Sequence, residues 1–403
     1  MGEKQVLVPR LRFPEFRDAG EWKKRPLGEC LNYLQPTKYL VSSTNYDDKF
    51  DIPVLTAGKT FVLGYTNETT GVFKKNLPVI IFDDFTTASK YVDFPFKAKS
   101  SAMKVLLAKE HANIKFVYES MQLIKYEVGV HERHWISIFS GLNIPLPPCY
   151  EEQQKIADCL SSLDALIAAQ ADKIDALKTH KKGLMQQLFP REGETAPRLR
   201  FPKFRDAGDW VNCKVSKLLN KVSEPVLVEA NGIYQEIGIR SHGKGIFHKE
   251  PIAGEVLGDK RVFWVKENTL ILNIVFAWEL AVANTTDAEK GMIASHRFPM
   301  YDPIKDKSDV QYMKYFFLTH KGKQLLWIAS PGGAGRNKTL GQKDFENLEI
   351  LVPDRVKEQQ KIAACLSSLD ALITVHTVKL DALKAHKKGL MQQLFSNPEA
   401  VTA

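Results

Sequence analysis

The 403 residues hold 56 Lys and Arg against 47 Asp and Glu, a net charge of +9, with 44% hydrophobic and 26% charged residues. That balance excludes collagen-like, low-complexity and disordered chains, and at ~150 residues per domain the length implies two or three domains. The five cysteines (Cys30, Cys149, Cys159, Cys213, Cys365) form no CxxC pair, and their odd number speaks against a disulfide framework, so a reducing cytoplasm is expected.

In chain order, the opening MGEKQVLVPR lacks the apolar core of a signal peptide. Residues 1–22 form an N-terminal frame segment containing PRLRFPEFRDAGEW at Pro9–Trp22. This returns as PRLRFPKFRDAGDW at Pro197–Trp210, with twelve of fourteen positions identical. Residues 23–150 are expected to be a first globular domain, in which Pro78–Phe82 reads as a buried strand and Phe116–Tyr126 as a short helix. Residues 151–190 read as a long helix. Glu151–Phe189 has no Pro, and Ile156, Leu160, Leu163, Ile167, Ile174, Leu177, Leu184 and Leu188 fall on heptad spacing. A helix of that length is a rod of roughly 58 Å.

Residues 191–210 are a linker and the repeated frame segment, and residues 211–353 a second globular domain. There Leu270–Ile274 and Leu351–Pro353 read as strands and Val310–Trp327 as helix. The longest apolar run, Thr269–Ala283, is interrupted by Asn273 and Glu279 and is shorter than the ~20 residues of a membrane span. Residues 354–396 repeat the helix: Glu358–Phe395 matches Glu152–Phe189 at thirty of thirty-eight positions. Its seam is Ile362, Leu366, Leu369, Ile373, Leu380, Leu383, Leu390 and Leu394, and residues 397–403 are a tail.

The frame is therefore written twice, while the two intervening segments do not resemble each other in sequence. The expected fold class is α+β: two globular, mixed, mostly β domains separated by two long antiparallel coiled-coil helices, with a pseudo-two-fold internal repeat. Two seam layers are polar. Gln170 is equivalent to His376, and Lys181 to Lys387. Gln170 and His376 either meet as a buried polar pair that fixes register or face solvent. His180 and His386, each followed by Lys-Lys, read as a solvated basic face or a partner surface.

Charge favours the intervening segments. Lys23–Tyr150 carries 16 basic and 12 acidic residues, Val211–Pro353 carries 19 and 16, and Glu151–Ala196 carries 6 and 8. Basic residues alternate with aromatics, amides and hydroxyls. The first domain offers Lys59, Thr60, Lys90, Lys97, Lys99, Lys104, Arg133 and His134. The second offers Arg240, His242, Lys244, Lys260, Arg261, Arg297, Arg336, Asn337 and Lys338. Arg and Lys suit guanine edges and phosphates, and Asn suits adenine, so double-stranded DNA is the expected ligand. Trp22 and Trp210 are placed where frame meets domain, and Trp135, Trp264, Trp278 and Trp327 in cores.

Catalytic chemistry finds little support. Asp83-Asp84 at a strand end could hold magnesium, yet no further carboxylates stand at coupled spacing. The pair has other uses: accepting from a cytosine amine, orienting a lysine, or capping the turn before Thr86. Pro331–Thr339 (PGGAGRNKT) lacks the Gly-Lys-Ser/Thr ending of a P-loop, and no Asn-Pro-Pro-Tyr/Phe motif occurs. No catalytic or metal site is expected.

The layout resembles the DNA-specificity (S) subunits of Type I restriction–modification systems over nearly the whole chain. RFPEFRDAGEW, the helix openings EQQKI at Glu152 and Glu358, and the helix endings HKKGLMQQLF carry that resemblance. IPVLTAGKTFVLGYTNET and IGIRSHGKGIFHKE look like two forms of its target recognition domains. The resemblance implies a non-catalytic cytoplasmic subunit of a bacterial defence system. Each recognition domain would read one half of a split asymmetric DNA site, and the helices would set the spacer. The partners would be two modification subunits, which methylate adenine with S-adenosylmethionine, and ATP- and magnesium-dependent restriction subunits. No cofactor would sit on this chain, and no membrane is involved. The competing expectation is a non-catalytic coiled-coil assembly or adhesion protein without DNA affinity.

Overall fold

The computed structural model describes residues 7–58, 60–126, 134–332 and 338–396. The chain divides into two compact units, residues 1–171 with 378–403, and residues 172–377. Two helices of 39 residues, Tyr150–Leu188 and Val356–Leu394, each give one part to each unit. The first unit therefore holds the start of one long helix and the end of the other, and the second unit holds the converse.

The first unit is built on a four-stranded antiparallel sheet of β1 (Leu31–Leu34), β2 (Val79–Asp83), β3 (Ser89–Val92) and β4 (Met103–Ala108), in the order β1-β4-β2-β3. All five residues of β2 are buried. Successive side chains of a strand point to opposite faces. Ile80 and Phe82 accordingly enter one core with Phe116, Trp135, Ile156 and Leu394, while Val79 and Ile81 enter another with Phe73 and Phe96. A strand covered on both faces reads as an unbroken apolar run, as PVIIF does. A second, three-stranded sheet (Ile52–Leu55, Val62–Thr66, Lys97–Ala98) covers the outer face.

In the second unit β5 (Leu219–Val222), β6 (Leu270–Leu272), β7 (Val282–Asn284) and β8 (Met300–Pro303) form a sheet in the order β5-β8-β6-β7. Chain order maps onto sheet order in the same way in both units. Leu270 and Leu272 face the core that contains Tyr312, Phe317 and Ile362, and Ile271 faces the one that contains Ile237 and Met300. Three two-stranded ribbons stand where the first unit has its three-stranded sheet: Ile233–Tyr234 with Ile252–Ala253, Ile237–Ile239 with Ile246–His248, and Val262–Trp264 with Ile293–Ser295.

In each unit a ribbon closes the domain next to the long helix, Lys23–Pro26 with Asn143–Leu146 and Val211–Lys214 with Glu349–Val352. Every expected seam position of both long helices is buried or half-buried, while Leu166, Leu372 and Val375 are exposed. Val356–Leu394 is long and apolar enough by composition to cross a membrane, unlike the interrupted run at Thr269–Ala283. Its apolar ends are instead occupied: Ile362 and Leu366 lie in the second unit's core, and Met391 and Leu394 in the first's.

The expected helix Val310–Trp327 is two helices, Val310–Phe317 and His320–Ile328. The break falls at Thr319, whose hydroxyl caps the second helix by accepting from the Gly322 amide at 3.0 Å. A Cβ on Gly322 would lie 2.3 Å from the Phe316 carbonyl oxygen, so only glycine allows this close return. The tryptophans also divide. Trp22, Trp135 and Trp210 are buried, but Trp264 and Trp327 are 38% and 48% exposed, against the core placement their size suggests.

Candidate nucleic-acid interface and its supporting frame

The two sequence motifs of the frame meet as a clamp. Arg12 of RLRFPEF grips Glu152 of EQQK with two parallel bonds, Nε to Oε1 and Nη2 to Oε2, both 2.7 Å, and also donates to the Gly20 carbonyl. Arg200 grips Glu358 in the same way at 2.7 and 2.8 Å and donates to the Gly208 carbonyl. Both pairs are nearly buried, and the bidentate fork satisfies both carboxylate oxygens. Leu11 and Leu199 donate backbone bonds to the Gln393 and Gln187 carbonyls, tying each frame segment to the other long helix.

The next residue of the motif holds the recognition domain. The Gln153 carbonyl accepts from the Asn113 amide at 2.9 Å, and its amide group donates to the His111 carbonyl. Asn113 itself caps the helix Ile114–Gln122. Gln359 accepts from the Asp309 amide at 3.0 Å and donates to the Lys307 carbonyl, and Asp309 caps Val310–Phe317.

About three turns further along the helix, Lys387 donates to Asp164 at 2.7 Å and to Glu119 at 2.9 Å, and Lys115 bridges the same two carboxylates. In the second unit Lys181 bonds Asp370 at 2.5 Å, and the Tyr315 hydroxyl donates to the other Asp370 oxygen at 2.6 Å. The seam lysines thus turn inward to a carboxylate of the opposite helix segment, while Lys182 and Lys388 stay exposed. Gln170 is buried and His376 half-buried.

In the first recognition domain Thr60 and Lys90 are exposed and Lys99 is half-buried, its ammonium bonded to the Tyr46 hydroxyl. Lys97 and Lys104 are internal instead. Lys97 pairs with Glu68 and Lys104 with Asp84, at 2% and 1% exposure. His134 is buried too, its backbone amide donating to the Asp84 carbonyl. These three support loops and do not reach a surface as they stand, because desolvated cations are held by carboxylates and a buried ring by packing. Lys59 and Arg133 lie outside the described residues. Each of the four Asp83 and Asp84 oxygens is engaged within the protein: Asp83 by the Phe85 amide and Thr86 hydroxyl, Asp84 by the Trp135 amide and Lys104. This is the turn-capping and lysine-orienting arrangement.

The second recognition domain gathers its basic loops around residues 273–281. The hairpin tip Arg240–Lys244 docks there through His242 N to Glu279 O, 2.7 Å, and Gly243 N to Leu280 O, 2.9 Å. His242 and Gly243 take positive φ values of 62° and 65°, which curl the tip back on itself. The His296-Arg297 turn docks through Ile274 N to Arg297 O and joins Arg261 through His296 N to Arg261 O. Leu340, two residues beyond Lys338, donates to the Ile274 carbonyl. Arg240, His242, Lys244, Arg261 and Arg297 are exposed. Arg240 stacks on Phe247, and Lys338 lies over the Trp327 ring. Lys260 is exposed along its stem, with its ammonium paired to Glu236. Arg336 and Asn337 lie outside the described residues. Lys221, Arg261, His296 and Gln342 line a cleft of about 170 Å³ beside this surface.

Sequence reasoning missed the clamp residues Arg12, Arg200, Gln153 and Gln359 and the carboxylates Asp164 and Asp370. The signal was present: each lies in a segment written twice, and each keeps its type in both copies.

Residues 19–179 and 256–385 match the family model described as the Type I restriction modification DNA specificity domain. The Escherichia coli Type I restriction enzyme EcoR124I/EcoR124II specificity subunit is 32% identical over 380 residues, 88% of each chain. The chain belongs to the Type I restriction–modification specificity family. A putative Methanocaldococcus jannaschii member, the MjaX specificity subunit, is 23% identical and aligns with 63% of this chain and 59% of its own. The crystal structure of an S subunit from M. genitalium shares the fold, with a TM-score of 0.67 at 13% identity, covering 97% of this chain and all of that one.

Proposed function

We propose that this chain is the DNA-recognition subunit of a Type I restriction–modification complex, and that its two recognition domains each read one half of a split, asymmetric site. The observation that carries this is the repeated frame holding two sheets of like topology whose exposed loops differ. The contacts are assigned to the exposed side chains Lys90, Arg240, His242, Lys244, Arg261 and Arg297, which suit phosphates and base edges. The long helices, paired as an antiparallel coiled coil about a pseudo-two-fold, set the unread spacer. Exposed apolar residues of these helices, Leu166 in the first unit and Leu372 and Val375 in the second, give each unit its own docking position for a methyltransferase subunit. A groove in the second unit, where Met185, Phe189 and Leu318 form the floor and Lys178, Lys182 and Lys321 the rim, offers another. S-adenosylmethionine, ATP and magnesium belong to those partners and to restriction subunits, all in the cytoplasm, and this chain performs no chemistry.

Methylation mapping of cells expressing the chain with a modification subunit of the family tests this reading. The expected result is a bipartite motif, with Arg240→Ala relaxing one half alone. Equal loss of both halves contradicts modular reading. A complex that binds DNA with no salt dependence removes the electrostatic basis of the assignment, because counterion release is unavoidable when cations replace ions around phosphates.

A further inference from the structure

Trp327 is the most exposed of the described tryptophans, ahead of Trp264. It lies in the last turn of His320–Ile328, is about half exposed, and is followed by Ile328, 69% exposed. The adjoining exposed aromatic and aliphatic side chains form a small apolar surface of the kind that marks a contact site. Nor is it loosely held. Trp278 packs edge-on against the indole at 5.6 Å, and the Trp278 N–H is fixed on the Val275 carbonyl at 3.0 Å. The Lys338 ammonium lies 3.8 Å from the centroid of the Trp327 ring. Residues 273–281, which carry Trp278, are the same segment on which the Arg240–Lys244 tip and the Arg297 turn dock. The step therefore sits among the basic loops.

We infer that the Trp327–Ile328 step with Lys338 is a specificity-determining edge of the second recognition domain, meeting a thymine methyl and its neighbouring base edge in the major groove. The inference rests on the DNA-recognition reading above. The chemistry selects this role over others. A phosphate contact needs a cation and has no use for a dry ledge. Base stacking needs a free ring face, whereas Lys338 lies over one face and Trp278 packs against the indole, which leaves less of the ring for a base. What remains is an apolar ledge suited to the thymine methyl, the only methyl group that unmodified DNA presents in the major groove, beside an ammonium held in place by cation–π attraction and able to donate to guanine O6 or N7.

The test uses the complex of the full chain with its modification subunits and duplexes in which each thymine of the second half-site is replaced in turn by uracil, which removes only the methyl. The unaltered complex should lose affinity several-fold at one position, and the Ile328→Ala complex should be insensitive there. Trp327→Ala and Lys338→Gln should each lower discrimination in that half roughly tenfold or more. The first half-site and the affinity for unrelated DNA should be unchanged. Uracil insensitivity of the unaltered complex at every position would overturn the inference, even if the variants fold poorly. So would a uniform loss with a shallower salt slope, which marks a phosphate contact, or intact discrimination with lost subunit assembly, which marks a protein-docking face. Failure of the unaltered complex to bind DNA at all would remove the underlying reading as well.

Discussion

The two recognition domains share a plan and differ in its furnishing. Both place four antiparallel strands in one order, and both follow the last strand with a capped helix that a glutamine of the long helix holds. Between the first and second strands of that sheet one domain inserts the hairpin Ile52–Leu55 with Val62–Thr66, and the other inserts two ribbons, one of them ending in the Arg240–Lys244 tip. Parts that touch the frame keep their chemistry, and parts that face outward are free to change. The clamp itself is not quite equal. Glu152 also receives the Trp22 N–H at 3.2 Å, whereas the Trp210 N–H is buried with no acceptor among the described residues.

The largest expected effect breaks the clamp. Arg200→Met leaves Glu358 buried without its partner and should cost about 3–5 kcal/mol. Arg12→Met should cost about 1 kcal/mol less, since Trp22 still donates to Glu152. Hydrogen exchange within each unit measures the two separately, and equal losses would show that the third bond is idle.

Next come the seam lysines. Lys387→Met and Lys181→Met should each cost about 1–2 kcal/mol, because each removes one of two partners: Lys115 continues to hold Glu119 and Asp164, and Tyr315 continues to hold Asp370. Burial pushes the Asp164 carboxyl up, but the Lys115 and Lys387 ammoniums outweigh it and hold the group below its ordinary value of 3.8. A lowered carboxylate gives stability that is complete above the unfolded value and is lost as pH falls through the folded one. Lys387→Met should therefore move acid unfolding of the first unit to higher pH, as followed by circular dichroism.

The tryptophans sharpen the comparison further. Trp22→Phe should lose about 1 kcal/mol more than Trp210→Phe in urea unfolding, because only Trp22 gives up a hydrogen bond. Smallest of all, Glu15→Lys removes an exposed pair with Lys155 that the second copy already lacks, since Lys203 stands at the equivalent place. No resolvable change in melting temperature is expected.

Much of this was legible in the sequence. Uninterrupted heptad-spaced apolar residues mark both long helices, which run Tyr150–Leu188 and Val356–Leu394, and PVIIF marks a central strand because both its faces are covered. The shared sheet order was not legible, since topology is held by apolar patterning that many sequences satisfy. Nor did residue type distinguish Lys90, which is exposed, from Lys104, which pairs with Asp84 inside. Both lie in strands of the same sheet, but Lys90 is on the edge strand β3 and Lys104 on the inner strand β4, beside the Asp84 carboxylate. The break at Thr319 has a local signal, a threonine N-cap three residues before Gly322, that apolar patterning overrode, whereas the exposure of Trp327 depends on tertiary contacts around Trp278.

The central claim is that one frame carries two exchangeable readers. Replacing residues 23–150 by a second copy of residues 211–353 and mapping methylation in cells tests it most directly. The expected motif is symmetric, an inverted repeat of the second half-site. Persistence of the original asymmetric motif would contradict the claim.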